Sequence, residues 1–132
     1  MTNQVLQPAG WKAPRGYANG VVARGQWVVL AGQIGWNEHC EFTSDDLVDQ
    51  VRQALVNVRT LLAEAGATPA HIVRMTWYLS DKREYLARAK EIGAVYRELI
   101  GSFAVAMSAL QVAALIEDRA RVEIEVTAVL PD

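Results

Sequence analysis

The sequence is poor in the residues that most often hold metals or staple a chain. It has one cysteine, Cys40, and two histidines, His39 and His71. A single cysteine closes no internal disulfide, which points to a reducing compartment. A metal site needs three or four converging ligands, and these three side chains are the whole supply beyond carboxylates, so no metal is expected. A dominant charge is missing too: 13 basic and 15 acidic side chains give a formal net charge of -2, with no long block of either sign. Phosphate backbones call for a basic surface, so nucleic acid is not an expected partner. No segment approaches the roughly 20 apolar residues of a membrane span. Met1-Thr2-Asn3-Gln4 offers no basic start and no apolar run follows it, so the expectation is a cytoplasmic protein without a membrane partner.

What is present suits one folded domain over residues 1–132, with 52% apolar residues to supply its core. Residues 1–15 are rich in Gly, Pro and Gln and read as an irregular arm in which Trp11 docks. Residues 17–24 and 26–32 flank Arg24-Gly25, a turn glycine can make, and predict a β-hairpin. Residues 36–42, with Glu38, His39, Cys40 and Glu41, read as a surface loop. Neighbours in an extended segment point apart, which argues against a Cys-His catalytic pair there.

Thr43 or Ser44 is a candidate cap for a helix with Asp45 and Asp46 in its first turn. Leu47, Val51, Ala54, Leu55, Val58, Leu61, Leu62 and Ala65 give it one apolar stripe, and Gly66 its stop. Residues 72–79 alternate as a strand. A second helix starts near Ser80 or Asp81, keeps Tyr85, Ala89, Ile92, Tyr96 and Leu99 on one face, and ends at Gly101. Two strands follow, residues 105–115 and 121–130, joined by Glu117-Asp118-Arg119. In the last, Val122, Ile124, Val126 and Ala128 alternate with Arg121, Glu123, Glu125 and Thr127, giving one core face and one face with carboxylates.

The predicted order is β-β-α-β-α-β-β, an α/β (α+β) fold with no internal repeat. Two amphipathic helices cover one face of its sheet and nothing remains for the other. That second face holds the Glu123 row and Ala106, Ser108 or their alternating partners. Copies of the chain are expected to pack there in a closed ring, with a pocket between them.

The order of elements, the tract Val29-Leu30-Ala31-Gly32-Gln33-Ile34, the helix over residues 50–66 with Asn57-Val58, and Val122-Glu123-Ile124-Glu125 together resemble the RidA/YjgF family, from about Pro14 onward. The resemblance implies a chorismate-mutase-like fold, a homotrimer, and small-molecule clefts at the subunit interfaces. It also implies hydrolysis of reactive enamines and imines, such as 2-aminoacrylate, to a keto acid and ammonia without metal or organic cofactor. Glu123 falls on the family's catalytic glutamate, Tyr17 on its cleft tyrosine and Gly32 on the glycine whose backbone faces the ligand. The arginine that grips the substrate carboxylate falls on Met107. Val105 stands for a proline, Ala109 for a cysteine and Ala31 for a serine, and the second-helix asparagine has no counterpart near Ala89. The pattern is similar to sub-families that lack the arginine.

Imine hydrolysis needs an acid, a positioned water and a proton for departing ammonia, and one partly desolvated carboxyl group can serve all three. Glu123 is the candidate; the alternative is a solvated glutamate, or one neutralised by Arg121 on the same strand face. Tyr17 either donates to a ligand oxygen or closes the hairpin against a neighbour. Backbone N–H groups at Gly32 either bind a carboxylate or only turn the chain. Met107 offers no fork of donors and removes charge-assisted contacts worth roughly 1.5–3 kcal/mol each. The expected ligand, lying near Met107, Ser108 and Arg121, is therefore larger or more apolar than a small imino acid, for instance a 2-aminomuconate-type catabolite. Its carboxylate would go to Arg15, Arg24, Arg74 or Arg121. Two competing expectations are a non-catalytic metabolite-binding or holdase-like trimer, and a ribonuclease, which lacks a His-His or His-Lys pair.

Overall fold

The last strand of the chain is the middle of the sheet in the computed structural model, which describes residues 3–132. This strand, β6 (Val122–Leu130), buries Val122, Ile124, Val126 and Ala128 as its alternation predicts. It pairs antiparallel with β3 (Gln26–Ile34) on one side and with β4 (Ile72–Leu79) on the other. Strand β5 (Ala106–Gln111) adds to β4 in parallel, giving the order β3-β6-β4-β5. The two C-terminal strands are therefore not neighbours, and the segment between them is not a hairpin turn. It crosses the end of β4, where Val112 N–H donates to the Leu79 carbonyl and Ser80 N–H to the Arg121 carbonyl.

The first helix, α1 (Leu47–Glu64), lays Leu47, Val51, Ala54, Leu55, Val58 and Leu62 on the sheet. Its cap is Asp46, whose carboxylate accepts from Asp49 N–H at 3.1 Å, rather than Thr43 or Ser44. Ser44 supports the cap instead, its Oγ accepting from Asp46 N–H. Leu61, expected in the stripe, lies outside it. Gly66, at φ 75°, ends the helix as predicted. At the other end Gln50, only 1% exposed, reaches out of α1. Its Nε2 donates to the carbonyls of Ser44 and Arg119, and its Oε1 accepts from Arg121 N–H at 2.8 Å. Helix and sheet come this close because residue 35 is glycine: a Cβ there would stand 2.5 Å from Gln50 Cβ.

The predicted second helix is two: α2 (Lys82–Ala87) and α3 (Ala89–Leu99), meeting at Arg88. Arg88 takes φ -106° and ψ 14°, outside helical geometry, and its guanidinium binds Asp46 and Glu91 at 2.9 Å each. With α1, these helices cover one face of the sheet only, the expected α+β layering.

Three expectations for the N-terminal region fail. The arm is not irregular throughout, since β1 (Gln4–Leu6) pairs antiparallel with β2 (Gly20–Val22). Consequently β2 makes no hairpin with β3. Gly25, at φ 145°, packs so tightly on the Leu130 carbonyl that no Cβ would fit, and the chain passes the end of β6 instead of folding back. Trp11 does not dock; it is exposed. The arm is tied to the sheet further on, where Ala18 bridges Ala106 in parallel and donates to the Val105 carbonyl at 2.8 Å. Among the described residues no helix is long and apolar enough to cross a membrane.

Candidate functional site

On the face without helices, β6 presents Glu123, Glu125 and Thr127. The register sets Tyr78, Thr76 and Arg74 of β4 beside them, and Leu110, Ser108 and Ala106 of β5 beyond. Tyr78 donates to Glu125 Oε1 at 2.9 Å, and that bond to a carboxylate holds the phenol pKa up. On the opposite flank Trp27 and Val29 of β3 stand 71% and 70% exposed. An acidic and hydroxylated centre is thus bordered by bare apolar side chains.

Glu123 has a specific seat on this face. The β3–β6 register slips between Leu30 and Gln33, so Ala31 and Gly32 leave the ladder as a bulge. A Cβ on Gly32 would overlap the Glu123 carboxylate and stand 2.8 Å from its Cγ. The glycine makes the half-buried position of Glu123 possible.

Tyr17 and Met107 lie elsewhere. Met107 is paired with the fully buried Met75 and packs on the helix-covered core, whereas its neighbour Ser108 faces the other way. With Tyr17, brought in by the Ala18 bridge, Met107 borders a cavity of about 470 Å³ between α2, α3 and the β5 edge. Trp77, Tyr85 and Tyr96 form its aromatic wall, the Trp77 ring 6.1 Å from that of Tyr85 and 6.2 Å from that of Tyr96 by centroid. Burial pushes the Tyr85 phenol up and the Tyr96 phenol up to about 12, so both remain neutral O–H donors near pH 7.

Arg121 joins neither group. Its Nε donates to the Asp45 carbonyl and its Nη1 pairs with Glu84 at 3.2 Å. It enters β6 beside the start of α1 and α2, whose acceptors take the guanidinium, so the alternative in which Arg121 neutralises Glu123 is not what this chain shows. His39 and Cys40 sit on the exposed loop between Trp36 and Phe42, and His71 Nδ1 accepts from Thr68 N–H. Among the described residues no three His, Cys, Asp or Glu side chains converge as a metal site.

The structure therefore brings Glu123 to Gly32 and Tyr17 to Met107, and separates the two pairs by the thickness of the sheet. Ser108 shares the Glu123 face. Sequence periodicity places Tyr85, Ile92 and Tyr96 in a core stripe, where they do pack, and the same side chains also border the cavity, joined there by Arg97. The available signal for Arg97 was its spacing of four from Gly93, which sets the two one above the other on a helix.

Comparison with known proteins bears on the whole chain. The family model described as endoribonuclease L-PSP matches residues 9–130. A RutC family protein of Synechocystis is 32% identical over 134 residues, covering 99% of each chain. A 2-iminobutanoate/2-iminopropanoate deaminase of Salmonella typhimurium is 31% identical over 105 residues, 80% of each. Among solved structures, the Rid-family protein YyfB of Yersinia pestis, described as of unknown function, superposes with a TM-score of 0.83 at 34% identity. That match covers 98% of this chain and 100% of that one. The fold and these matches agree that the chain belongs to the endoribonuclease L-PSP family, the YjgF/RidA proteins.

Proposed function

We propose that this chain is a hydrolytic deaminase of reactive enamines or imines, working as a homotrimer whose clefts lie between copies. The observation that carries the proposal is the seat of Glu123, held against the Cβ-less Gly32 on a sheet face that the chain itself leaves uncovered. A relative 31% identical over most of its length bears the name of an iminobutanoate and iminopropanoate deaminase. In one chain Glu123 and Gly32 face away from Tyr17 and Met107, so the family's site is assembled only where the acid face of one copy meets the cavity side of another.

The chemistry needs proton transfer and water alone. For an enamine, protonated Glu123 first delivers its proton to carbon to give the iminium, and an N–H proton of that iminium returns to the carboxylate, leaving the neutral imine. Water oxygen then bonds to the imine carbon, and Glu123 relays a water proton to nitrogen. The C–N bond breaks, both water hydrogens finish on nitrogen, and ammonia leaves behind a carbonyl whose oxygen came from water. Backbone donors at Gly32 and the Tyr17 hydroxyl orient the substrate.

The Glu123→Gln variant tests the assignment on imines generated in situ from amino acids. Loss of turnover by about 100-fold or more is expected for a general acid–base group; unchanged turnover would overturn it. Met107 favours one second reading, a trimer that binds a metabolite without converting it. In that case no imine is turned over by the unaltered protein, and Glu123→Gln binds as well as it does.

A further inference from the structure

The cavity between α3 and β5 has more structure than a gap in packing. Only one of its lining residues is charged, Arg97. The ion pairs on this side of the fold, Arg52–Glu98, Arg88–Glu91 and Arg121–Glu84, leave Arg97 out among the described residues. Its guanidinium folds back along α3: Nη1 lies 3.3 Å from where a Cβ on Gly93 would stand. A glycine inside a helix costs about 0.5–1 kcal/mol relative to alanine. Here the space it leaves is the space beside which the cation rests, at the wall of the cavity.

A second observation is independent of the first. Trp77 is almost wholly buried at 2% exposure and lines the cavity together with Tyr85 and Tyr96. One cation and aromatic walls make a chamber for a flat apolar group that carries a single negative charge.

We infer that this cavity binds the side chain and carboxylate of an aromatic or long apolar 2-imino or 2-oxo acid, with Arg97 as its carboxylate clamp. Arg97 thus supplies from α3 the positive charge that Met107 does not supply from β5. This assignment deepens the deaminase proposal by naming its substrate class, but the binding it describes stands apart from turnover.

Calorimetric titration tests it with three probes: phenylpyruvate, pyruvate, and hydrocinnamyl alcohol, which has the ring without the carboxylate. Phenylpyruvate is expected to bind about tenfold or more tightly than pyruvate, because only the former fills the aromatic wall. Arg97→Met is expected to weaken phenylpyruvate about tenfold while leaving the alcohol unchanged, and Arg97→Lys to restore part of the loss. Ile92→Trp, which fills the chamber without touching the charge, is expected to exclude both ring-bearing probes. Equal affinity for pyruvate and phenylpyruvate, or an Arg97→Met variant that binds phenylpyruvate as before, would overturn the inference. The same titration on Glu123→Gln separates the two proposals. Binding without turnover in the unaltered protein removes the deaminase and keeps the pocket; turnover of small imines without phenylpyruvate binding does the reverse.

Discussion

Gly32 and Glu123 depend on one another through a missing methyl group. Because a Cβ at residue 32 would overlap the carboxylate, Gly32→Ala forces the Glu123 side chain out of its seat, while its own backbone needs no special φ. The atoms that must move belong to a flexible side chain, so the urea midpoint is expected to stay near that of the parent. Turnover of a cognate imine should instead fall about 100-fold, the usual result of displacing a reacting group by an ångström. A variant with full turnover would show that the seat is irrelevant. The alternation of Val122, Ile124 and Val126 made the face of Glu123 legible from the sequence, because period two needs no knowledge of partners. Gln50 was not legible in that way. It looks like a polar break in an apolar stripe, and one of the carbonyls it satisfies is 69 residues away.

At the scale of elements, helix ends were the most readable feature and strand partners the least. Gly66 and Gly101 stop their helices with φ of 75° and 95°, a conformation glycine adopts without penalty. The break at Arg88 left no trace, since the apolar stripe runs straight through it. The predicted hairpins failed because adjacency in the chain does not fix sheet neighbours: β2 pairs with β1 instead of β3, and β4 lies between β5 and β6. Arg88 joins α2, α3 and the cap of α1 through charge, and that gives the junction a pH dependence. Its guanidinium, by hydrogen bonding first, holds the Asp46 and Glu91 carboxyls below their usual range. A depressed carboxylate contributes stability that is complete above its unfolded pKa and is lost as pH falls through the folded one. Arg88→Met is therefore expected to melt lower than the parent near pH 7, with the gap closing below about pH 4. Scanning calorimetry across that range checks it; a gap that widens in acid would refute the ion-pair account.

For the molecule as a whole, the uncovered sheet face is the feature that demands a partner. Trp27 and Val29 are the most exposed apolar side chains on β3, and single chains seldom leave such a border in water around a functional centre. Light scattering after size exclusion is expected to give the mass of three chains. The double substitution Trp27→Lys and Val29→Lys should reduce it to one, with the far-ultraviolet dichroism retained. A single-chain mass for the parent would remove the inter-copy cleft and the proposal built on it.

The position of β6 also has a consequence in time. Strands β3 and β4 meet only through it, so until β6 has left the ribosome β3 has no sheet neighbour and β4 has only the edge strand β5. Until then the oily sides of α1 and β4 have no complete floor to settle on, and the nascent protein is at its stickiest just before β6 emerges.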